Sequence, residues 1–269
     1  MTFTGSSVSI VGVRFLNARP LLAGLEAGLA APFRYAFATA EPSACADALA
    51  TGGAVAGLVP VAALPGIPDA AALPALGVVA RHEVRSVLLI TREPLRRIRT
   101  LAAHTASRTS VALAQLLLAE RWGVRPRVVP ARPPLAAMLD GADAAVLIGD
   151  PALQAHGRTG FDELDLAAAW VEWTGLPFVF AVWGVRPDAP EGLPTLLDAS
   201  FAFAVERWEH LVPRWAQAHG VSREETHTYL GETLSYRLGD AERESVRVFL
   251  RRAAQAGLLP PYREVWRAV

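Results

Sequence analysis

The sequence predicts an α/β protein of two lobes with a ligand cleft between them. Three observations carry that prediction. The first sixty residues alternate β-α-β-α-β, a second α/β unit is nested after the first, and the chain beyond residue 193 reads as helix alone. Such alternation calls for a parallel sheet with helices on its faces.

In order, Val8-Ser-Ile-Val-Gly-Val reads as a short buried strand, followed by a turn at Asn17 to Pro20. Residues 21–29 form a helix opened by that proline, whose fixed φ suits a first helical turn. Residues 33–37 are a second strand candidate. Pro42 and Ser43 start a helix that runs to Leu49 and stops at Gly52-Gly53, and residues 54–59 are a third strand. Residues 77–79 and 86–91 add two more, the latter strongly apolar at Val87-Leu-Leu-Ile. Thr109 to Trp122 is an amphipathic helix ended by Gly123. A strand at Val128-Val129, a short helix over 135–139 and a strand over 144–148 follow, with one more apolar strand at 178–183. The closing helices cover 196–217, 222–237 and 240–255, parted by Gly220 and Gly239. With crossings near 89–94 and 180–186, lobe 1 takes residues 1–91 and 184–269, and lobe 2 takes residues 92–183. The C-terminal helices return to the first lobe. This is the layout of a type II periplasmic-binding-protein-like fold, in which hinged lobes close around a ligand.

Composition narrows the chemistry. Hydrophobic residues make up 52% of the chain and charged residues 19%, enough apolar side chain for a sizeable core. The formal net charge is zero, so no basic excess marks a nucleic-acid partner. All 26 basic residues are arginine. The missing lysine removes Schiff-base chemistry, pyridoxal phosphate anchoring and the P-loop lysine. A single cysteine, Cys45, excludes a disulfide framework and a multi-cysteine metal site, and its alanine-rich helical setting reads as a buried small hydrophobe. Six scattered histidines show no metal-ligand spacing, so no metal is expected. Asp162-Glu-Leu-Asp reads as a solvated loop. No dinucleotide, Walker or hydrolase-elbow motif occurs, and no cofactor is expected. The apolar stretch 54–80 is broken by Pro60, Pro65, Pro68 and Pro74, so no membrane partner is expected. The first seven residues lack the basic region of a secretory signal, which makes cytoplasm the expected location. Oligomeric state is left open.

Three segments place donors where a cleft would be. Arg14-Phe-Leu-Asn-Ala-Arg-Pro follows the first strand, at the strand end where α/β sheets bind ligands. Its Asn17, the one asparagine in the chain, can both donate and accept, and it equally suits a plain turn into the helix. Thr105-Ala-Ser-Arg-Thr-Ser precedes the helix at 109–122. Ser107 or Thr109 caps that helix, its free N–H groups attract anions, and Arg108 adds positive charge. Leu147-Ile-Gly-Asp-Pro ends a strand of the second lobe, where Gly149 allows close backbone approach and Asp150 can accept a hydroxyl or cap the next helix.

These segments together resemble the chorismate dehydratase family of the futalosine route to menaquinone. The likeness runs in order through Val11-Gly-Val-Arg-Phe-Leu-Asn-Ala-Arg-Pro-Leu, Pro42-Ser43, Gly57-Leu-Val-Pro, Ser86-Val-Leu-Leu, Ser107-Arg-Thr-Ser-Val, Leu147-Ile-Gly-Asp-Pro-Ala-Leu and Trp173-Thr-Gly-Leu-Pro-Phe-Val-Phe-Ala. It covers roughly residues 10–185, with a weaker echo near Tyr229 and Tyr236. Val61 and His104 depart from it, standing where serine and aspartate are common. The sister enzyme, 1,4-dihydroxy-6-naphthoate synthase, opens with a different segment.

The resemblance implies a carbon–oxygen lyase without a cofactor that turns chorismate, a small dicarboxylate, into 3-[(1-carboxyvinyl)oxy]benzoate and water. Asn17 and Ser86 would position the reacting ring. Ser43 and the Ser107-Arg108-Thr109 helix start would anchor carboxylates, with Arg14, Gly149 and Asp150 beside them. The base would be Asp150 or the substrate's own enolpyruvyl carboxylate. A non-catalytic binding protein for small anions is the rival on the same layout.

Overall fold

A computed structural model describes residues 7–267; residues 1–6, on which the signal-peptide expectation rests, lie outside it. The first lobe begins with β1 (Val8–Val13), α1 (Arg19–Glu26), β2 (Tyr35–Ala40), α2 (Pro42–Ala50), β3 (Ala56–Pro60) and β4 (Ala71–Ala80). The second comprises β5 (Val87–Thr91), β6 (Thr100–His104), α3 (Thr109–Trp122), β7 (Arg127–Ala131), α4 (Leu135–Leu139), β8 (Ala144–Ile148), α5 (Asp150–Ala155), β9 (Asp162–Asp165) and α6 (Leu166–Thr174). The chain returns through β10 (Phe178–Val185) and then runs through α7 (Leu193–Glu206), α8 (Trp208–His219), α9 (Arg223–Thr228), β11 (Leu234–Arg237) and α10 (Asp240–Gln255).

Two mixed sheets result. The first has the order β11-β4-β10-β3-β1-β2 and the second β7-β6-β8-β5-β9. β1 lies parallel to both β2 and β3, as the opening alternation requires, and β10 enters antiparallel between β3 and β4. Covering both faces of a sheet demands apolar residues at every strand position, and β5 shows how. Its Val87 and Leu89 join the large core, whereas Leu88 and Ile90 face a smaller cluster with Met138 and Leu139 behind the second sheet.

Sheet membership corrects the expected lobe boundaries. β5 belongs to the second sheet and β10 to the first, so the crossings fall at 81–86 and 175–177 rather than at 91/92 and 183/184. A fully buried apolar strand looks the same in either sheet, because pairing is non-local. Three strands were not foreseen. β6 reads as too short a run, and the acidic Asp162-Glu-Leu-Asp stretch is β9 rather than a solvated loop. Asp165 accounts for that: its carboxylate caps α6 at Ala167 and Ala168 and also accepts the Val84 and Arg85 amides. The expected helix over 222–237 ends in a π-turn at 229–233 and then pairs as β11 on the edge of the first sheet.

The C-terminal helices tie the molecule together. α7 lies on α1, where the buried Ser200 hydroxyl accepts the Gly24 and Leu25 amides and donates to the Leu21 carbonyl. A Cβ at Gly24 would stand 2.5 Å from the Ser200 Cα, so only glycine permits that approach. α10 packs on β10 and α3; its Phe249 meets Trp170 and Phe178 edge to face, and its Ser245 accepts the Trp170 indole N–H. Cys45 sits buried between α2 and the first sheet, its thiol pushed up to about 12 by burial, as a small hydrophobe would be. No helix among the described residues is long and apolar enough to cross a membrane.

Candidate active site

β1 ends at Val13, and a 3-10 turn at Leu16–Ala18 leads into α1, which starts at Arg19 with Pro20 in its first turn. Asn17 is therefore just past the carboxyl end of β1, an interior strand next to the sheet edge, and it faces the second lobe. Its Oδ1 is buried without a hydrogen-bond partner, and the residue lines the cleft with Val13, Phe15, Pro42, Pro60, Phe180 and Ala181. A buried carboxamide oxygen left open is costly, which marks the position where a ligand donor fits.

The opposing wall is Val87, Ser107, Thr109, Ser110, Ile148 and Gly149. Ser107 is the functional cap of α3, accepting the Ser110 amide at 3.1 Å. Thr109 has a different task. Its hydroxyl accepts the Ala62 amide and donates to the Phe180 carbonyl, each at 3.2 Å, and so pins α3 of the second lobe to the first. The acceptor is free because β10 bulges there: Val179 pairs with Val79 and Ala181 with Val78, leaving Phe180 over. Gly149 has φ +67 and ψ −149, a region essentially closed to other residues, and a Cβ on it would lie 2.8 Å from the Phe15 ring. The two lobes thus touch through Phe15 on the bare backbone of Gly149.

Beneath this floor, Ser86 is fully buried and receives the Tyr229 hydroxyl at 2.5 Å, while its carbonyl accepts the Gly149 amide. Complete burial raises the Tyr229 phenol above its usual range, offset in part by the hydrogen bond to Ser86 and by Asn17 in reach. Tyr229 was not singled out from the sequence; it comes from the π-turn, and π-turns gather at functional positions.

Other expected ligands are engaged with the protein. The Ser43 amide binds the Ala106 carbonyl across the cleft at 3.2 Å, so that backbone donor is not open to an anion. Arg14 pairs with Glu41 at 2.7 Å, and Arg108 reaches over to Asp47 at 2.6 Å. Both guanidinium groups are exposed, and their chain neighbours Val13, Phe15, Ser107 and Thr109 line the cleft. Asp150 does not line the void: Oδ1 accepts the Leu16 amide and Oδ2 meets His219 Nδ1. Among the described residues no three His, Cys, Asp or Glu side chains gather as a metal site. A larger, open hollow of about 980 Å³ lies beside the edge strand β2 and shares no lining residue with the void between the lobes.

The void between the lobes measures about 50 Å³. At ~10–15 Å³ for each water it holds about three to five. A ring with two carboxylates needs far more, so entry requires the lobes to part, and closure then buries the ligand.

The chain matches the family model described as menaquinone biosynthesis over residues 8–255. It is 37% identical over 134 residues to a chorismate dehydratase of Thermus thermophilus, a match that takes in 44% of this chain and 49% of that relative, about half its length. Among solved structures, a protein of Archaeoglobus fulgidus superimposes with a TM-score of 0.77 at 16% identity, over 94% of this chain and 98% of the other. The periplasmic aliphatic sulphonate binding protein SsuA of Escherichia coli gives 0.67 at 12% identity, over 99% and 94%. The alkanesulfonate-binding SsuA of Xanthomonas axonopodis pv. citri gives 0.66 at 15% identity, over 99% and 100%. These likenesses establish the periplasmic-binding-protein fold expected from the element order. The family model covers nearly the whole chain, and the protein belongs to the menaquinone biosynthesis family.

Proposed function

We propose that this protein is a chorismate dehydratase, a cytoplasmic carbon–oxygen lyase that forms 3-[(1-carboxyvinyl)oxy]benzoate and water from chorismate. The observation that carries the reading is Asn17, whose open Oδ1 faces a cleft closed by both lobes. The Thermus relative and the family match supply the substrate class.

The reaction breaks the C3–H bond, forms the C3–C4 double bond with those electrons, and expels the C4 hydroxyl, which leaves as water after taking a proton. Aromatisation drives it, so the protein's contribution is placement. The α3 start with Ser107 receives one carboxylate, and Arg108 and Arg14 at the mouth attract the dianion. Asn17 holds the ring, with Ser86 and Tyr229 fixing the wall beneath it. Asp150 is engaged at both oxygens, which favours the substrate's enolpyruvyl carboxylate as the base. Holding that carboxylate against C3 can contribute about 7–11 kcal/mol through orientation alone. Mixing the protein with chorismate and following the ultraviolet spectrum tests the assignment. An aromatic benzoate product is expected; folded protein that binds chorismate without changing its spectrum would instead be a solute-binding protein.

A further inference from the structure

Asp150 joins three parts of the molecule at one carboxylate. It begins α5 in the second lobe. Its Oδ1 accepts the Leu16 N–H at 2.9 Å, from the first-lobe turn that carries Asn17. Its Oδ2 takes His219 Nδ1 at 2.7 Å, at the end of α8. One turn along α5, the Gln154 side chain donates to the His219 carbonyl at 2.9 Å, so α5 and α8 are joined twice. The Leu16 amide opens a 3-10 turn, where no acceptor exists within the turn itself. Asp150 supplies it from the other lobe, beside the Phe15–Gly149 contact.

We propose that Asp150 is a positioning residue. Held by His219, its carboxylate receives the Leu16 N–H when the lobes meet and thereby sets the Asn17 carboxamide against the substrate. It acts through Asn17, and touches neither the void nor the reacting atoms. The identity of that substrate rests on the chorismate dehydratase reading; the bond does not.

Amide hydrogen exchange on the full-length free protein reads the bond without any substrate. The Leu16 amide should exchange roughly 10- to 100-fold faster in Asp150→Ala, the range of a charge-assisted hydrogen bond, while the β1 amides stay protected. Asp150→Asn keeps an acceptor at Oδ1 and should restore protection. His219→Ala leaves the carboxylate unanchored and should loosen the same amide by a smaller factor; it also serves if Asp150→Ala does not fold. With chorismate, Asp150→Ala should lower kcat at least about tenfold, and Asp150→Asn should return it to within about threefold of the parent enzyme. Unchanged Leu16 exchange in Asp150→Ala overturns the proposal. So does an Asp150→Asn protein that protects Leu16 yet loses all turnover, since the carboxylate would then be the base. If the parent protein leaves chorismate unchanged while Leu16 protection still follows Asp150, the substrate reading fails and the positioning bond stands.

Discussion

Replacing Thr109 by valine separates a contact between the lobes from a contact to substrate. The side chain is 2% exposed, and its hydroxyl is the partner of two buried backbone groups, the Ala62 amide and the Phe180 carbonyl. Valine keeps the shape and deletes both bonds. Each neutral hydrogen bond contributes ~0.5–1.5 kcal/mol net, so the pair amounts to about 1–3 kcal/mol, and two stranded partners push toward the upper end. Urea unfolding of the free protein should show that loss as a lower midpoint with an unchanged slope. Thr109→Ser keeps the oxygen and loses one methyl, about 0.8 kcal/mol by burial. A hydroxyl reserved for substrate would behave in the opposite way. Thr109→Val would then unfold at the parent urea concentration and bind chorismate more weakly, and that pair of results would refute the reasoning.

Four other substitutions probe the site and its surroundings. Arg108→Gln breaks an exposed pair worth at most about 1 kcal/mol, so unfolding should barely change, while KM for chorismate rises and the salt dependence of kcat/KM weakens. Gly149→Ala puts a Cβ into the Phe15 ring at a strained φ, and should cost about 1–3 kcal/mol by urea unfolding, with lower turnover. Tyr229→Phe removes the donor to the buried Ser86 hydroxyl; a kcat at least tenfold lower at constant KM is expected from about 1.4 kcal/mol or more, and parental kcat would place the pair outside the chemistry. Glu163 is lowered below 4.5 because the Gly157 amide, Thr159 and His156 outweigh its desolvation. A depressed carboxylate contributes stability above its unfolded value and loses it as pH falls through the folded one, so Glu163→Gln should lower stability at neutral pH and flatten the acid limb, the difference from the parent closing as pH falls below about 4.5.

Much of the fold was readable because local patterns coincide with global ones. Pro42 at a helix start, Gly123 in left-handed conformation at the end of α3, and the bare apolar run of β5 each act within a few residues. The misses are non-local. Strand order assigns β5 and β10 to opposite sheets from those expected, and β11 is a strand only because β4 offers it an edge. Asp162-Glu-Leu-Asp looked solvated because its four acidic and apolar residues show no core face; the amides that satisfy Asp165 come from residues 84 and 85, about eighty positions away.

At the site, strand ends and helix starts identify where polar groups converge, and Asn17, Ser107, Thr109 and Gly149 line one void between the lobes. Whether such a group faces ligand or protein depends on what the opposite lobe presents, which no short segment encodes. The Thr109 hydroxyl is claimed by a bulge in β10, the Ser43 amide by Ala106, and the Asp150 carboxylate by Leu16 and His219. Tyr229 and His219 were missed for the same reason: they reach Ser86 and Asp150 from 143 and 69 residues away. One consequence orders the chemistry. Because cross-lobe bonds engage Thr109, Arg108, Ser86 and Asp150, the open Asn17 oxygen stands apart, and a ligand donor complements it. A substrate rich in carboxylates and hydroxyls suits that arrangement, and it makes a base supplied by the substrate the simplest partner for a site whose own acid is already bound.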